Sequence, residues 1–460
     1  MKTAIYEFSG PPAERRNARE QLAEQFRLIF GLVLIALEFS NLVQFATFGS
    51  RDMFHTARPT VHMSAYTFQA LAYLTIPVVA VLSPRSLGRL FHQPIFRWTA
   101  AAALLFAWGM VVRSFNPPAG YPQYLVIREF LLRLNALGFM LICVMMFEGD
   151  RVLRAARLAI ALVTVAAVAV NVCEVMHLWV FSTARIGWNR AIGLQDDPNA
   201  AGMVIVFGCI LGLAAVPRRL REAFIIVCLA GVLTTFSREA IAALGVVMLC
   251  ACAGRSLAPS RLVFIGLAAL MLFIAFNLAD TLEDEGVLSD QNVARLTLQV
   301  SDKSARGHAR VAEKTWDQFA SAPLFGNGFG TTAYWGDMQS HNLYLSFMAD
   351  HGVIGVLLLP ALVWCLAYSS WEFYGFAFAF LIWNMFNHNL FSNPFGLITL
   401  AVVANLQSQS RYLRAQRLIG WLRGIHPLPA CGPNPAATVA PYDYSGAARA
   451  YPQFLENAER

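Results

Sequence analysis

The chain is 460 residues long, with 57% hydrophobic and only 14% charged side chains, which sets it well apart from soluble globular domains. Its formal charge is +7, but the arginines are scattered through short loops and build no basic stripe, so no nucleic acid is expected as a partner. The eight cysteines, at positions 143, 173, 209, 228, 250, 252, 365 and 431, form no CxxC pair and mostly sit inside apolar runs, which indicates neither disulfides nor zinc.

Residues 1–25 carry charges of both signs and no apolar h-region. They read as a polar cytoplasmic tail with a short helix over 14–24, not as a cleaved signal peptide. From Phe26 onward, apolar runs of about 20 residues recur between short polar turns, the hydropathy of a helical bundle rather than of a barrel. They fall at 26–48, 65–82, 98–112, 125–147, 158–180, 199–216, 223–236, 240–253, 262–279, 343–368, 371–391 and 395–407. The expected fold is therefore all-α and integral to the membrane, with about twelve transmembrane helices. The first nine lie in 26–279 and the last three in 341–409, separated by a large loop at 280–340. A second cytoplasmic tail covers 410–460; from Gly424 it is rich in Pro, Ala and Gly and reads as disordered.

Orientation follows from the arginines. With the N-terminus cytoplasmic, the cytoplasmic loops hold Arg85, Arg89 and Arg97, then Arg151, Arg154 and Arg157, then Arg218, Arg219 and Arg221, then Arg255 and Arg261, with Arg411, Arg414 and Arg417 after the last span. That bias places the long loop, Arg190, Arg238 and His341 on the outer face.

A loop of about sixty residues is longer than ordinary connections and more often functional or disordered than idle. Within it, 304–320 has helical spacing: Ala312, Trp316 and Phe319 share one stripe, and Arg306, Arg310, Glu313 and Asp317 another. The spacing predicts an amphipathic helix at the membrane surface, stopped by Pro323. Gly326, Gly328 and Gly330 follow no strand and lack the lysine of a P-loop, so they read as a flexible turn.

His341 stands where this loop becomes a membrane helix, followed by Asn342 and Tyr344. An imidazole titrates nearest neutrality and can take a proton from a hydroxyl nucleophile; the plain alternative is an interfacial histidine satisfied by water or backbone. Arg238 lies between two apolar runs with no room for a real loop, where an arginine is costly unless paired or facing a wet cavity. Its guanidinium fork suits phosphate oxygens, though an ion pair with Glu239 or snorkelling would also explain it. Arg306 and Arg310, four apart, could face one anion, yet Glu313 and Asp317 on the same stripe equally suit a solvated charged face. Arg190 precedes an acidic turn in which Asp197 or Asn199 could cap the next helix. There is no DxD or carboxylate cluster suited to magnesium, which disfavours metal-dependent sugar-nucleotide transfer.

Taken together, Ser237-Arg238, Arg310 with Trp316, Pro323-Leu324-Phe325-Gly326-Asn327-Gly328, and His341-Asn342-Leu343-Tyr344 through Gly352-Val353-Ile354-Gly355 resemble the O-antigen ligase and polymerase superfamily. The resemblance is closest from Arg310 to Leu359. It implies a multi-pass protein of the bacterial inner membrane with its active site in a large periplasmic loop. The activity implied is an inverting glycosyltransferase, without metal or cofactor, that moves a glycan from undecaprenyl diphosphate to a hydroxyl acceptor, either lipid A-core or a growing glycan. On this reading His341 is the base, Arg238 and Arg310 steady the departing diphosphate, and Arg190, Arg306, Asn342 and Tyr344 line the donor site. Asp350 is followed by His351 where the family more often has glutamate, so that position is given no catalytic role.

Ligase, polymerase and protein O-oligosaccharyltransferase share this donor chemistry, and the sequence does not separate them. A transporter or flippase for lipid-linked sugars is the rival from another class. It predicts inverted repeats and charged, broken helices near the midplane; no such repeat stands out.

Overall fold

A computed structural model of the chain describes residues 12–43, 45, 65–115, 123–176, 178, 190–195, 197–258, 260, 266, 303–334, 340–387 and 390–422. Apart from residue 266, the expected span at 262–279 lies outside the described residues, as do the loop from 280 to 302 and the tail from 423. Among the described residues every regular element is helical. In chain order these are α1 (Pro12–Leu34), which continues as a π-helical turn (Ile35–Phe39), α2 (Ala65–Ala72), α3 (Thr75–Leu82), α4 (Pro84–His92), α5 (Pro94–Phe115), α6 (Gln123–Met146), α7 (Asp150–Val175) and α8 (Pro198–Leu213). They are followed by α9 (Arg221–Thr234), α10 (Arg238–Ala253), α11 (Lys303–Ser321), α12 (Thr331–Tyr334), α13 (Leu343–His351), α14 (Val353–Val356), α15 (Leu358–Cys365), α16 (Trp371–Phe386) and α17 (Pro394–Leu422).

By length and composition α5, α6 and α7 can each cross a membrane, and a fourth span arises if Phe68–Leu82 and Pro84–His92, bent by 110°, count as one. The chain is thus an all-helical membrane protein. The helix expected over 14–24 is part of the longer α1, which runs straight across the expected boundary at residue 25 into the first apolar run. The surface helix expected over 304–320 is α11. The run at 343–368 is broken into α13, α14 and α15, because Gly352 takes φ 69°, ψ −157°. A side chain there would collide with the Leu324 carbonyl, so the close approach of the loop sets the break.

The chain divides after Arg411. In the first unit α8 is buried along its whole length and packs on α7, α9, α10 and α16. Small residues allow the approach: Gly208 lies against Thr164, Gly212 against Ala161, and Gly231 against Val168. Phe207 fills the centre against Phe376, Trp383 and Phe395, with ring centroids 5.6–6.3 Å away. Of the second unit, Tyr412–Arg460, the described residues are helical, and Gln416 donates to the Tyr412 hydroxyl at 2.6 Å.

Ion pairs gather at one end of the first unit. Glu148 accepts from Arg27 at 2.8 Å and from Arg89 at 2.5 Å. Arg157 joins the start of α7 to Glu372 on α16 at 2.7 Å and to the Leu211 carbonyl at the end of α8, also at 2.7 Å. Gly254 packs on Trp371, and Gly375 on Val247 and Cys250, so α10 and α16 run antiparallel. Continuing that register sets Arg238 level with Asn387, at the end away from these ion pairs.

Candidate functional site

At that far end α9 stops at Thr234 and α10 starts at Arg238. The turn between them holds Phe236 at φ 47°, left-handed backbone that a bulky residue rarely adopts. Ser237 caps α10, its hydroxyl accepting from Ala240 N at 3.4 Å, and Arg238 follows with an exposed side chain. Arg190 is buried against this turn: Nε donates to the Thr235 carbonyl at 2.7 Å and Nη2 to Asn199 Oδ1 at 3.0 Å. Ala191 N donates to the Thr234 carbonyl at 3.0 Å. Of the two capping candidates, Asp197 does the capping, accepting from Asn199 N at 2.7 Å and Ala200 N at 3.0 Å. Burial pushes the Asp197 carboxyl above its ordinary pKa, while those two N–H groups and the Arg190 charge pull the other way.

The 190–195 segment is tied from two further sides. Glu174, buried in the last turn of α7, accepts from Ile192 N at 2.9 Å and Gly193 N at 2.8 Å through Oε2. Asn41, just beyond the π turn, donates through Nδ2 to the Leu194 carbonyl at 2.9 Å.

The second half of the site is the hairpin from α11 to α13. Gly326, Gly328 and Gly330 all take positive φ, and the loop they form lies on α5 and on the end of α13. Asn327 N accepts the role of donor to the Ala349 carbonyl at 2.9 Å, Gly328 N donates to the Asp350 carbonyl at 3.1 Å, and Phe329 N to the Gly109 carbonyl at 2.9 Å. The Asp350 carboxylate takes the Gly330 N–H at 3.0 Å and the Thr332 N–H at 3.3 Å. Asn327 Nδ2 donates to the Gln318 carbonyl at 2.5 Å and the Ala349 carbonyl at 3.4 Å, tying the C-terminal ends of α11 and α13, two helices that pack on each other. Arg310 and His341 each stand eight residues before those tied positions, which is about 12 Å along a helix.

His341 is half-buried just ahead of the N-cap of α13, and Arg310 is exposed on α11. Arg306 lies on α11 as well. Asn342 is that N-cap, its side chain accepting from Leu345 N at 3.1 Å, so the expected ligand group is engaged in starting the helix. Tyr344 is half-buried in the first turn. The structure therefore gathers Arg310 and His341 on one hairpin and Arg190 and Arg238 at one turn.

Sequence reasoning missed the buried groups behind these residues. Arg133 stacks over Phe329 at 4.6 Å from the ring centroid, with Phe106 and Phe347 at 5.6 and 5.8 Å, and its charge acts on Asp350. Arg113 Nη1 donates to Thr331 Oγ1 at 3.3 Å. Ionisable residues inside predicted spans were the available signal. His351 packs among Phe106, Phe329 and Phe347, and neither ring nitrogen has a hydrogen-bond partner among the described residues.

No curated protein matches the chain. A family model described as O-antigen ligase matches residues 223–360, the stretch that holds Arg238, Arg306, Arg310, His341, Asn342 and Tyr344. Motif and family model agree, and the chain is similar to the O-antigen ligase and polymerase superfamily across the segment that carries both Arg238 and His341.

Proposed function

We propose that the protein is an O-antigen ligase of the bacterial inner membrane, spanning it about twelve times and working at its periplasmic face. It moves a glycan from undecaprenyl diphosphate to a hydroxyl of lipid A-core. The observation that carries this reading is the equal placement of Arg310 and His341 relative to the tie at Asn327, inside the region similar to O-antigen ligases. It puts a cation and a base on adjoining helices at one level.

In this mechanism the His341 imidazole takes the proton of the acceptor hydroxyl. The oxygen forms a bond to the anomeric carbon as the bond from that carbon to the diphosphate oxygen breaks. The diphosphate departs with the electron pair, and the anomeric centre inverts. Arg310 and Arg238 steady the growing negative charge, since donors fixed in advance need no reorganisation as the charge develops. Arg306 and Tyr344 line the donor side, Asn342 holds the helix that presents His341, and Arg190 stands behind Arg238.

The test is transfer by purified protein given lipid-linked glycan and lipid A-core. His341→Ala is expected to lower turnover by about 10²- to 10⁴-fold, and wild-type turnover in that variant would remove the base. A deletion strain should accumulate long glycan chains on their lipid carrier; loss of those chains would point to polymerisation instead.

A further inference from the structure

We propose that Glu174 is a positioning residue for Arg238, acting through the 190–195 segment, and that Arg190 serves the same end without touching the donor. The inference rests on the reading that Arg238 steadies the diphosphate. Glu174 is fully buried and lies far in sequence from the turn it would govern. Its Oε2 gathers two consecutive backbone N–H groups, Ile192 and Gly193, which no neutral acceptor holds as firmly. Gly193 has φ 57°, and a side chain there would strike Asn171 Oδ1, so the backbone is pressed onto the end of α7.

From this anchor the chain reaches the Arg238 turn by two bonds, Ala191 N to the Thr234 carbonyl and Arg190 Nε to the Thr235 carbonyl. These are the last two residues before Phe236, whose backbone is the strained point of the turn. Arg190 thus spends its guanidinium on protein acceptors, with the Asp197 and Glu239 carboxylates close enough to act on it electrostatically. An arginine so surrounded is a poor ligand for a dianion but a good strut. The exposed Arg238, one residue beyond the cap, is the group left to meet one.

The experiment uses the full chain in lipid nanodiscs, with Glu174→Leu, which removes the acceptor, Glu174→Gln, which keeps a carbonyl oxygen, and Gly193→Ala, which moves the loop without touching the carboxylate. Steady-state transfer is measured against lipid-diphosphate donor and acceptor separately, alongside amide hydrogen exchange. Glu174→Leu and Gly193→Ala should raise the donor KM by about ten- to a hundredfold, the loss expected for a misplaced charged hydrogen bond, with the acceptor KM unchanged. Glu174→Gln should recover most of that loss. Exchange should rise at 190–195 and at 234–238 together in the first two variants. Donor and acceptor KM rising in parallel, or a looser 190–195 with 234–238 unchanged, would overturn the proposal. If the wild-type protein transfers nothing, the functional reading falls while the exchange arm still decides whether Glu174 governs the Arg238 turn. Should Glu174→Leu not fold, Gly193→Ala carries the same comparison.

Discussion

Asp350 clasps Gly330: one carboxylate oxygen takes the Gly330 N–H at 3.0 Å, and the other takes that of Thr332 two residues on, at 3.3 Å. With Arg133 acting on the same carboxylate, a buried charge at the end of α13 fixes the loop that joins α11 to the bundle. Replacing Asp350 by Ala strands two N–H groups and the Arg133 cation, which should cost about 3–5 kcal/mol. Asp350→Asn retains an acceptor and should cost less. Thermal unfolding in detergent ranks the two, and equal midpoints would remove the charge from the account.

Gly328 sits at φ 95° with the Arg113 backbone against the place a side chain would occupy. Gly328→Ala should destabilise by at least about 1–2 kcal/mol from the left-handed backbone alone, with the clash added. A denaturation midpoint unchanged from wild type would mean the loop had moved off α5.

Two histidines ten residues apart should behave in opposite ways. His351 is enclosed by aromatic rings and its nitrogens are unbonded among the described residues, so His351→Leu should leave turnover within about threefold, as tolerated core swaps do. His341→Ala should abolish most of it. Comparable losses in both variants would contradict the assignment of the base to His341.

Asp197 supplies a pH signature. An acid whose folded-state pKa is raised binds its proton more tightly in the folded protein. Its contribution is therefore favourable at low pH and is lost as pH rises from the ordinary Asp range through the raised folded value. Asp197→Asn should remove that slope. Unfolding temperature measured against pH should fall for wild type relative to the variant across that window, and parallel curves would refute the assignment.

The parts of this molecule that follow local rules were legible in advance. Arg306, Arg310, Glu313 and Asp317 fall on a helical stripe and lie on α11, and the polar run ending at His341-Asn342 leads into the N-cap of α13. What could not be read depends on who meets whom across the bundle. Glu174 in an apolar run gives no hint that its partners are the N–H groups of residues 192 and 193. Arg113 and Arg133 look like interfacial charges until Thr331 and the Phe329 ring are brought to them. Hydropathy also joined 343–368 into one span, since a glycine at 352 weighs little in an average while its backbone breaks the helix.

The π-helical turn at Ile35–Phe39 has a consequence for how Asn41 finds its partner. A widened turn accommodates one surplus residue without lengthening the helix and rotates all that follows. Deleting a single residue from that stretch would restore regular winding and swing the downstream side chains by roughly 100°, turning Asn41 away from Leu194. The fastening of an arginine-bearing segment some 150 positions later in the chain is in this way written as an insertion, a matter of counting in the first helix.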